Sequence, residues 1–287
     1  MSFPFYVARR YLFSKKSTNV INIISAISML GVAVASTAMI VTLSVFNGFQ
    51  SLVADLFTDF DPELKVTLAE GRTLSSDDAA IKSLLRNPDV QAATLCLEDL
   101  ALVVRDGKQM VVTIKGMSEN YGQQTNLASL LYPRTDEAPV LHADVLEYGI
   151  PGIQLALQLG LRPDFEPPLA VFAPKRGERV NMGNPMSSFN SDELLNSGAV
   201  FQVKQSKYDA NYILTSLPFA QNLFDQRGRI SQVELRMKPG TNIARAQRDI
   251  ARQLGSRFTV SDRYEQQADV FRIMKIEKLI AYLFLTF

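Results

Sequence analysis

The chain has 287 residues, with 30 basic and 29 acidic side chains. This length allows one or two domains with a buried core, and the balanced charge gives no indication of a nucleic-acid-binding protein. Cys96 is the only cysteine, which excludes an intramolecular disulfide, and we expect it to be buried in a strand as a small hydrophobic residue.

The chain begins with a basic segment, residues 1–18, followed by an apolar one, residues 19–46. The first segment combines aromatic and basic residues, which suits either a helix in the membrane interface or an extension of the second segment. No charged residue occurs between Ser17 and Ala54. The apolar segment is long enough for a transmembrane helix and longer than the apolar part of a signal peptide, so we expect an uncleaved anchor rather than a buried core helix.

The charges on each side of the anchor differ in sign. Arg9, Arg10, Lys15 and Lys16 precede it, whereas Asp55, Asp59, Asp61 and Glu63 follow it with only Lys65 opposing. Positive residues stay in the cytoplasm, so the N-terminus is predicted to be cytoplasmic. A translocated domain without a disulfide is typical of a bacterial envelope, and we therefore expect an inner-membrane protein whose main domain, residues 47–272, is periplasmic.

Small residues recur at helical spacing on one side of the anchor: Ser28, Gly31, Ala35 and Ala38. Small side chains allow a second helix to approach closely, so this side is a candidate helix-packing face. Small residues are also common in transmembrane helices generally, and this alternative remains open.

The segments after the anchor alternate between strand and helix patterns, which indicates an α+β class. The predicted strands are Leu64–Ala69, Ala92–Val104, Gln109–Met117, Leu169–Ala173, Ala199–Gln205, Tyr212–Thr215, Ile230–Met237 and Phe258–Val260. The predicted helices are Ala79–Arg86, Pro151–Leu159, Pro218–Phe224, Asn242–Leu254 and one that runs from Arg263 toward the membrane. Asp106 and Gly107 between two strand patterns predict a hairpin turn.

Two further segments are unusual. Residues 174–196 form a long polar stretch with apolar Met182, Met186 and Phe189, which favours either a contact loop or a floppy insertion. Residues 273–287 end in nine uncharged, mainly apolar residues after Lys278, too few to cross a bilayer. We expect the start of a second transmembrane helix in a truncated chain, with packing elsewhere as the alternative.

The sequence contains no phosphate-binding P-loop, dinucleotide-binding, zinc-protease or nucleophile-elbow motif. His142 is the only histidine, which excludes a multi-histidine metal site or a histidine-based nucleophile relay within one chain. The basic clusters lack interleaved aromatic residues, so nucleic acid is not an expected partner. We predict no catalytic, cofactor-binding or metal-binding residue.

Several segments carry a family resemblance. The most specific are SVFNGF, Ser44–Phe49, and KIEK, Lys275–Lys278; supporting segments are Ile150–Leu161, Tyr212–Phe224 and Val233–Gly255. Their order resembles the LolC/LolE-type permeases of lipoprotein-releasing ABC transporters, within the MacB/FtsX-like permease superfamily. The resemblance covers essentially the whole chain.

The resemblance implies four spans, with the large domain between the first two. That domain would pair a porter-like mixed α/β part, about residues 60–120 and 225–265, with a β-rich insertion between them. A second permease subunit, identical or related, and a separate cytoplasmic ABC ATPase would be partners. ATP hydrolysis on that separate chain would release lipoproteins toward a possible periplasmic carrier, and this chain itself would be no enzyme.

Alternatives remain within and outside the superfamily. An FtsX-like permease would transmit motion to activate a periplasmic partner, and a MacB-like permease would export another substrate. A complete membrane-anchored binding or sensor module is a third class.

The resemblance also suggests two sets of site residues. A carrier-docking loop would involve Val180, Met182, Pro185, Met186 and Phe189, although the charged KRGER portion of this loop departs from the expected sequence. A lipoprotein path just beyond the span would involve Val45, Phe46, Phe49, Leu52, Val53 and Leu56, with helix packing between subunits as the alternative.

Overall fold

The computed structural model describes residues 3–12, 20–55, 60–124, 127–132, 139–161, 167–177, 185–267 and 276. The helices are α1 Phe3–Leu12, α2 Val20–Asp55, α3 Ala79–Leu84, α4 Tyr121–Gln124, α5 Leu127–Leu130, α6 Ile153–Leu159, α7 Ser206–Asp209, α8 Leu217–Leu223, α9 Ile243–Leu254 and α10 Arg263–Gln266. A 3₁₀ helix spans Pro185–Ser188. The strands are β1 Leu64–Leu68, β2 Leu74–Ser75, β3 Val90–Arg105, β4 Lys108–Met117, β5 Leu131–Tyr132, β6 His142–Ala143, β7 Leu146–Pro151, β8 Leu169–Pro174, β9 Phe189–Asn196, β10 Val200–Phe201, β11 Tyr212–Ser216, β12 Arg229–Ile230, β13 Gln232–Met237 and β14 Phe258–Asp262.

The chain divides into two compact units, Met1–Asp55 with Asp269–Phe287, and Leu56–Ala268. In the first unit, the part of α2 from Ile23 to Val45 is long and apolar enough to cross a membrane. The hydroxyl groups of Thr37 and Thr42 within it each donate a hydrogen bond, 2.8 Å long, to the carbonyl four residues earlier. These bonds satisfy both hydroxyls without water, which suits an apolar surrounding. The predicted N-terminal apolar helix is confirmed.

The second unit is built around a large sheet in the order β14-β1-β13-β3-β4-β11-β7-β9-β8, with β6 beside β7. The first half of β3 pairs with β13, and its second half pairs with β8, where Val103 lies opposite Val171. Because β8 thereby returns to β3, the strands β3, β4, β11, β7, β9 and β8 close into a small barrel. The predicted mixed α/β class is confirmed. Strands β3 and β4, which lie in the range predicted as porter-like, also pair with β8 and β11 from the range predicted as the insertion.

Two apolar cores lie on the two faces of this sheet. The larger one, here called the main core, is formed with α3, α6, α8 and α9. The smaller one, here called the second core, is formed by Phe60, Cys96, Met117, Tyr121, Leu127, Leu131, Ile150, Phe201, Val203, Tyr208 and Leu214. Cys96 is fully buried in β3, as predicted.

The predicted hairpin between β3 and β4 is present. Asp106 and Gly107 have φ angles of 48° and 78°. A two-residue turn with positive φ at both positions matches the twist of the paired strands, and glycine adopts it without strain.

The polar stretch after residue 174 is not a loop throughout, so part of the loop prediction is wrong. Phe189–Asn196 is strand β9, which pairs with β8 and β7. Its outward residues are polar, and Leu194 is its fully buried apolar side chain. The strand is therefore set by its two neighbours rather than by its own apolar pattern.

Three other element predictions are corrected. The strand predicted at Ala199–Gln205 is limited to Val200–Phe201. The N–H of Val203 donates to the carboxylate of Asp209 at 2.8 Å instead of to a neighbouring strand. The strand predicted at Ile230–Met237 breaks at Ser231, whose hydroxyl accepts the N–H of Glu98 at 2.9 Å.

The helix predicted from Arg263 ends at Gln266. Gln267 leaves the helical conformation, with φ −110° and ψ 32°. Of the predicted second span, residues 273–287, only Ile276 lies within the described residues.

Candidate functional site

The two ends of the second unit lie side by side. Strands β1 and β14 pair antiparallel, with Leu64 opposite Asp262. Residues 60–63, which lead into β1, and residues 263–267, which follow β14, are therefore at the same end of the sheet. In the chain, these segments connect the domain to α2 and to the predicted second span. We call Phe60, Asp61, Pro62, Arg263, Gln266 and Gln267 the connector junction.

We call residues 60–63 the first connector and residues 263–267 the second connector. Side chains of the second connector donate hydrogen bonds to the first connector. Arg263 Nε donates to the carbonyl of Asp61 at 3.2 Å, and Gln266 Nε2 donates to the carbonyl of Pro62 at 3.1 Å. Gln267 Nε2 donates to Asp61 Oδ2 at 3.4 Å. The short helix α10 presents these donors because Asp262 and Glu265 form a capping box at its start. The two connectors are thus cross-linked by directional hydrogen bonds.

Asp61 also joins the first connector to helix α7. Its side chain is buried, and Oδ1 accepts the hydroxyl of Tyr208 at 2.6 Å. Burial raises the pKa of Tyr208, and the neighbouring carboxylate of Asp61 raises it further. The hydroxyl therefore stays protonated and serves as a hydrogen-bond donor.

Phe60 enters an aromatic cluster in the second core. Its ring centroid lies 5.5 Å from that of Phe201, 4.6 Å from that of Tyr208 and 6.0 Å from that of Tyr212. Such ring pairs contribute about 0.5–1.5 kcal/mol each beyond their buried area. A displacement of the connector at Phe60 would therefore disturb α7, β10 and β11 together.

A buried ionic cluster lies beneath the same ring. Lys115 Nζ is 2.7 Å from Glu234 Oε1 and 3.5 Å from Glu98 Oε1, and it lies 4.6 Å from the centroid of Phe60. Gln232 Nε2 donates to Glu98 Oε1 at 2.9 Å and to Glu234 Oε1 at 2.7 Å. The side chains of Lys115 and Glu234 are each only 2% exposed, so this ion pair is almost without contact with water.

The pKa shifts in this cluster reflect two carboxylates that share one ammonium. Burial by itself lowers the pKa of Lys115, but the carboxylates of Glu234 and Glu98 raise it well above its usual value overall. Burial raises the pKa of Glu234 more than Lys115 lowers it. Glu234 Oε2 has no hydrogen-bond partner within the described residues. Lys115 therefore stays charged, while Glu234 is the less well compensated member of the pair.

This arrangement is suited to holding segments together rather than to catalysis. Burial raises the pKa of the Cys96 thiol, followed by the effect of Glu234, so this cysteine is not a reactive thiolate. Within the described ranges, no group of three or more His, Cys, Asp or Glu residues could hold a metal ion.

The residues predicted for the span lie on α2. Ser28, Gly31, Ala35 and Ala38 are exposed, and among the described residues outside the adjacent turns of α2 none lies within 4 Å of a β-carbon built on Gly31. Among the predicted lipoprotein-path residues, Val45 is exposed and Leu56 lies outside the described residues. The other four lie within helix α2: Phe46, Phe49, Leu52 and Val53.

The predicted docking loop is described only at its end. Val180 and Met182 lie outside the described residues, and Pro185 begins the 3₁₀ helix. Met186 is 59% exposed, whereas Phe189 is half-buried in β9 opposite Pro174. Phe189 is therefore a strand residue, contrary to its predicted place on an exposed loop.

The sequence interpretation missed the connector junction and the ionic cluster. One signal was available: Lys115 interrupts the apolar run Val111–Met117 of a predicted strand. A lysine at such a position needs a buried carboxylate partner, but the sequence does not identify that partner as Glu234.

Comparison with known proteins identifies relatives of this chain. Residues 25–146 match the family described as the MacB-like periplasmic core domain. The chain is 24% identical over 275 residues to the lipoprotein-releasing system transmembrane protein LolC of Xylella fastidiosa. The matched region covers 96% of this chain and 63% of that protein. It is 26% identical over 122 residues to LolE of Haemophilus influenzae, covering 42% of this chain and 29% of LolE. The predicted resemblance to the LolC/LolE-type permeases is confirmed.

The match to LolC extends through both α2 and the domain, and the chain spans 63% of the length of that relative. Among solved structures, the periplasmic region of MacB from Actinobacillus actinomycetemcomitans is similar, with a TM-score of 0.47 and 11% identity. That similarity covers 75% of this chain and 92% of the MacB region.

Proposed function

We propose that the chain is a permease subunit of an ABC transporter of the lipoprotein-release type. It would work with a separate cytoplasmic ATPase and a second permease subunit to release lipoproteins from the inner membrane toward a periplasmic carrier. The observation that carries this proposal is the similarity to LolC over 96% of the chain, through both the apolar helix and the domain. The basic residues before α2 support a cytoplasmic N-terminus and a periplasmic domain.

Release of a lipoprotein requires an external source of energy. Each buried methylene of a lipid anchor contributes about 0.8 kcal/mol to membrane binding, so a triacylated protein does not leave the bilayer spontaneously. In the proposed mechanism, the ATPase moves the spans, and the spans move the domain. The connector junction suits this role because Arg263 and Gln266 bind the backbone of the first connector, and Phe60 and Asp61 reach into the second core.

The residues predicted from the resemblance are assigned roles on the same basis. Val45, Phe46, Phe49, Leu52, Val53 and Leu56 would line the lipoprotein path at the end of the span. Val180, Met182, Pro185 and Met186 would contact the carrier. Ser28, Gly31, Ala35 and Ala38 would pack against another transmembrane helix. The exposure of Val45 and Met186 supports their accessibility.

The test of this function uses the complete gene product, tagged and purified from membranes in mild detergent. Mass spectrometry is expected to identify a co-purifying ABC ATPase together with acylated lipoproteins. An ATPase that co-purifies with a cell-wall hydrolase instead would favour an FtsX-like mechanotransmission permease, and recovery without any ATPase would overturn the permease assignment.

The coupling role is tested in a reconstituted release assay with Asp61→Asn. This substitution keeps the size of the side chain but removes the charge that accepts the bond from Tyr208. We expect ATP hydrolysis to continue while lipoprotein release falls. Asp77→Asn is the control, because Asp77 is exposed and forms its ion pair with the surface residue Lys82. Equal release by both variants would exclude the junction from coupling.

A further inference from the structure

A cleft with a volume of about 430 Å³ opens on the domain, and its described lining includes none of the connector junction residues. It lies between the end of β4, the helices α4 and α5, the segment before β6 and the start of α8. Its apolar lining includes Met117, Tyr121, Leu127, Pro139, Val140 and Pro218. Ligand sites in proteins have volumes of about 300–1,000 Å³ and mainly apolar walls with a few polar groups, so this cleft is large enough for one long side chain and its neighbours.

The polar lining of the cleft includes Ser118, Glu119, His142 and Ser216, of which Glu119 is the acidic member. Glu119 lines it and is exposed, without an ion-pair partner in the described part of the chain. Two further lining residues hold the carboxylate of Glu147 between them: His142 Nδ1 lies 2.8 Å from Oε1, and Ser216 Oγ donates to Oε2 at 2.6 Å. No lysine or arginine is among the described lining residues. The cleft therefore attracts a cation.

We propose that this cleft binds a lysine or arginine side chain presented by an extended segment of a partner polypeptide. Long basic side chains combine an apolar stem with a charged end. The stem would lie against Met117 and Pro218, and the charged end would reach Glu119 and the carboxylate of Glu147. Val140, which is 58% exposed, offers an apolar contact to the adjacent residue of the segment.

The charges of the cleft favour a polypeptide over an aminophospholipid headgroup. Such a headgroup also carries an ammonium group, but its phosphate requires a cationic or N–H donor partner. The described lining supplies the carboxylate of Glu119 and contains no lysine or arginine, and the carboxylate of Glu147 is bonded to lining residues His142 and Ser216. A phosphate placed there would be repelled, whereas a basic side chain brings only the complementary charge.

The binding test uses the 287-residue chain in phosphatidylcholine nanodiscs and two fluorescently labelled peptides. One is acetyl-Ser-Leu-Lys-Leu-Ser-amide, and in the other the lysine is replaced by norleucine, which keeps the stem and removes the charge. Fluorescence anisotropy is expected to show about tenfold tighter binding of the lysine peptide, since a charge-assisted hydrogen bond is lost with the ammonium. The difference should shrink at high salt.

Variants locate the bound peptide. Glu119→Gln is expected to weaken binding of the lysine peptide about tenfold, whereas Glu70→Gln, at an exposed position outside the cleft, should leave it unchanged. Ala128→Arg places a competing cation in the cleft wall and should abolish binding, with Ala128→Gln as the uncharged control.

Three results would overturn the proposal. They are equal affinity of the two peptides, equal affinity of Glu119→Gln and Glu70→Gln, or displacement of the lysine peptide by phosphoethanolamine at the same concentration as by the unlabelled peptide. The last result would indicate a lipid headgroup site. Because the peptide comparison uses the unmodified chain, it decides the matter even if a variant fails to fold.

Discussion

The buried ionic cluster gives a quantitative prediction for Lys115→Met. Methionine preserves the length of the side chain but leaves Glu234, whose side chain is 2% exposed, without its ammonium partner. Removing one member of a buried ion pair typically costs about 3–5 kcal/mol. Glu98 is 21% exposed and keeps part of its hydration, so the cost arises mainly at Glu234. We expect a loss of about 3 kcal/mol in the free energy of unfolding at neutral pH.

The double variant Lys115→Met with Glu234→Gln separates this charge effect from packing. Both buried charges are then absent, and the neutral amide still fits beside Gln232. Replacing both partners of a buried pair is often close to neutral, so the double variant should be more stable than Lys115→Met alone. The interaction energy between the two substitutions is expected to be about 2 kcal/mol.

The cost of Lys115→Met also depends on pH. The pKa of Glu234 is raised in the folded protein by burial, and loss of Lys115, which lowers it, raises it further. A carboxyl whose pKa is raised on folding favours the folded state only while it is protonated. The penalty should therefore be smaller at pH 5 and larger at pH 8, as the pH rises through the folded-state pKa.

The assay is urea unfolding of the 287-residue chain in nanodiscs, followed by the fluorescence of its 9 tyrosines because the chain has no tryptophan. Three outcomes would refute the reasoning. They are a loss below about 1 kcal/mol for Lys115→Met, a double variant no more stable than that single variant, and a penalty that is equal at pH 5 and pH 8.

The remaining predictions concern single positions. Tyr208→Phe removes the hydrogen bond donated to Oδ1 of the buried Asp61 carboxylate and should lower the free energy of unfolding by about 1–3 kcal/mol; an unchanged urea midpoint would contradict this. Gly116→Ala would place a β-carbon against the side chain of Ala220 in α8 and should destabilise the protein by about 1–3 kcal/mol. Gly122→Ala should not, because no described residue lies within 4 Å of the added β-carbon; thermal unfolding would show the difference. The pKa of Asp78 is lowered, chiefly by the backbone N–H of Ala80 at the start of α3 and also by Arg257. The stability that the charged form adds relative to Asp78→Asn should therefore be complete above about pH 4 and decrease as the pH falls further, toward the folded-state pKa; an equal difference in thermal unfolding at pH 7 and pH 3 would exclude this role.

Local patterns predicted the elements whose residues alternate or carry their own caps. The hairpin turn at Asp106 and Gly107 is an example, because positive φ is a property of those two residues. Helix α9 is another: Asn242 accepts the N–H of Arg245 at 3.0 Å and begins the helix where the sequence predicted it. These signals lie within a few residues and do not depend on the rest of the fold.

Elements set by distant neighbours were not predicted in the same way. Strand β9 has one fully buried apolar side chain, Leu194, and its conformation follows from β8 and β7 on its two sides. The closure of the barrel depends on Val103 of β3 meeting Val171 of β8. Both valines look like ordinary strand residues in the sequence, and nothing local identifies them as partners.

The connector junction was beyond prediction for the same reason. Asp61 and Gln267 are 206 residues apart in the chain and meet through the pairing of β1 with β14. The sequence contributes a hint only at Lys115, whose charge inside an apolar strand requires a buried partner.

The composition of the junction supports its proposed role as a coupling element. A purely apolar contact is non-directional, so a connector held only by such contacts could slide against the domain when the span moves. Hydrogen bonds fix direction as well as distance, and those from Arg263, Gln266 and Tyr208 hold the first connector at three different acceptor atoms. A buried ion pair adds little net stability compared with apolar residues of similar size. Its place beneath Phe60 is therefore better explained by a need for defined geometry, which a permease driven from its spans would have at this position.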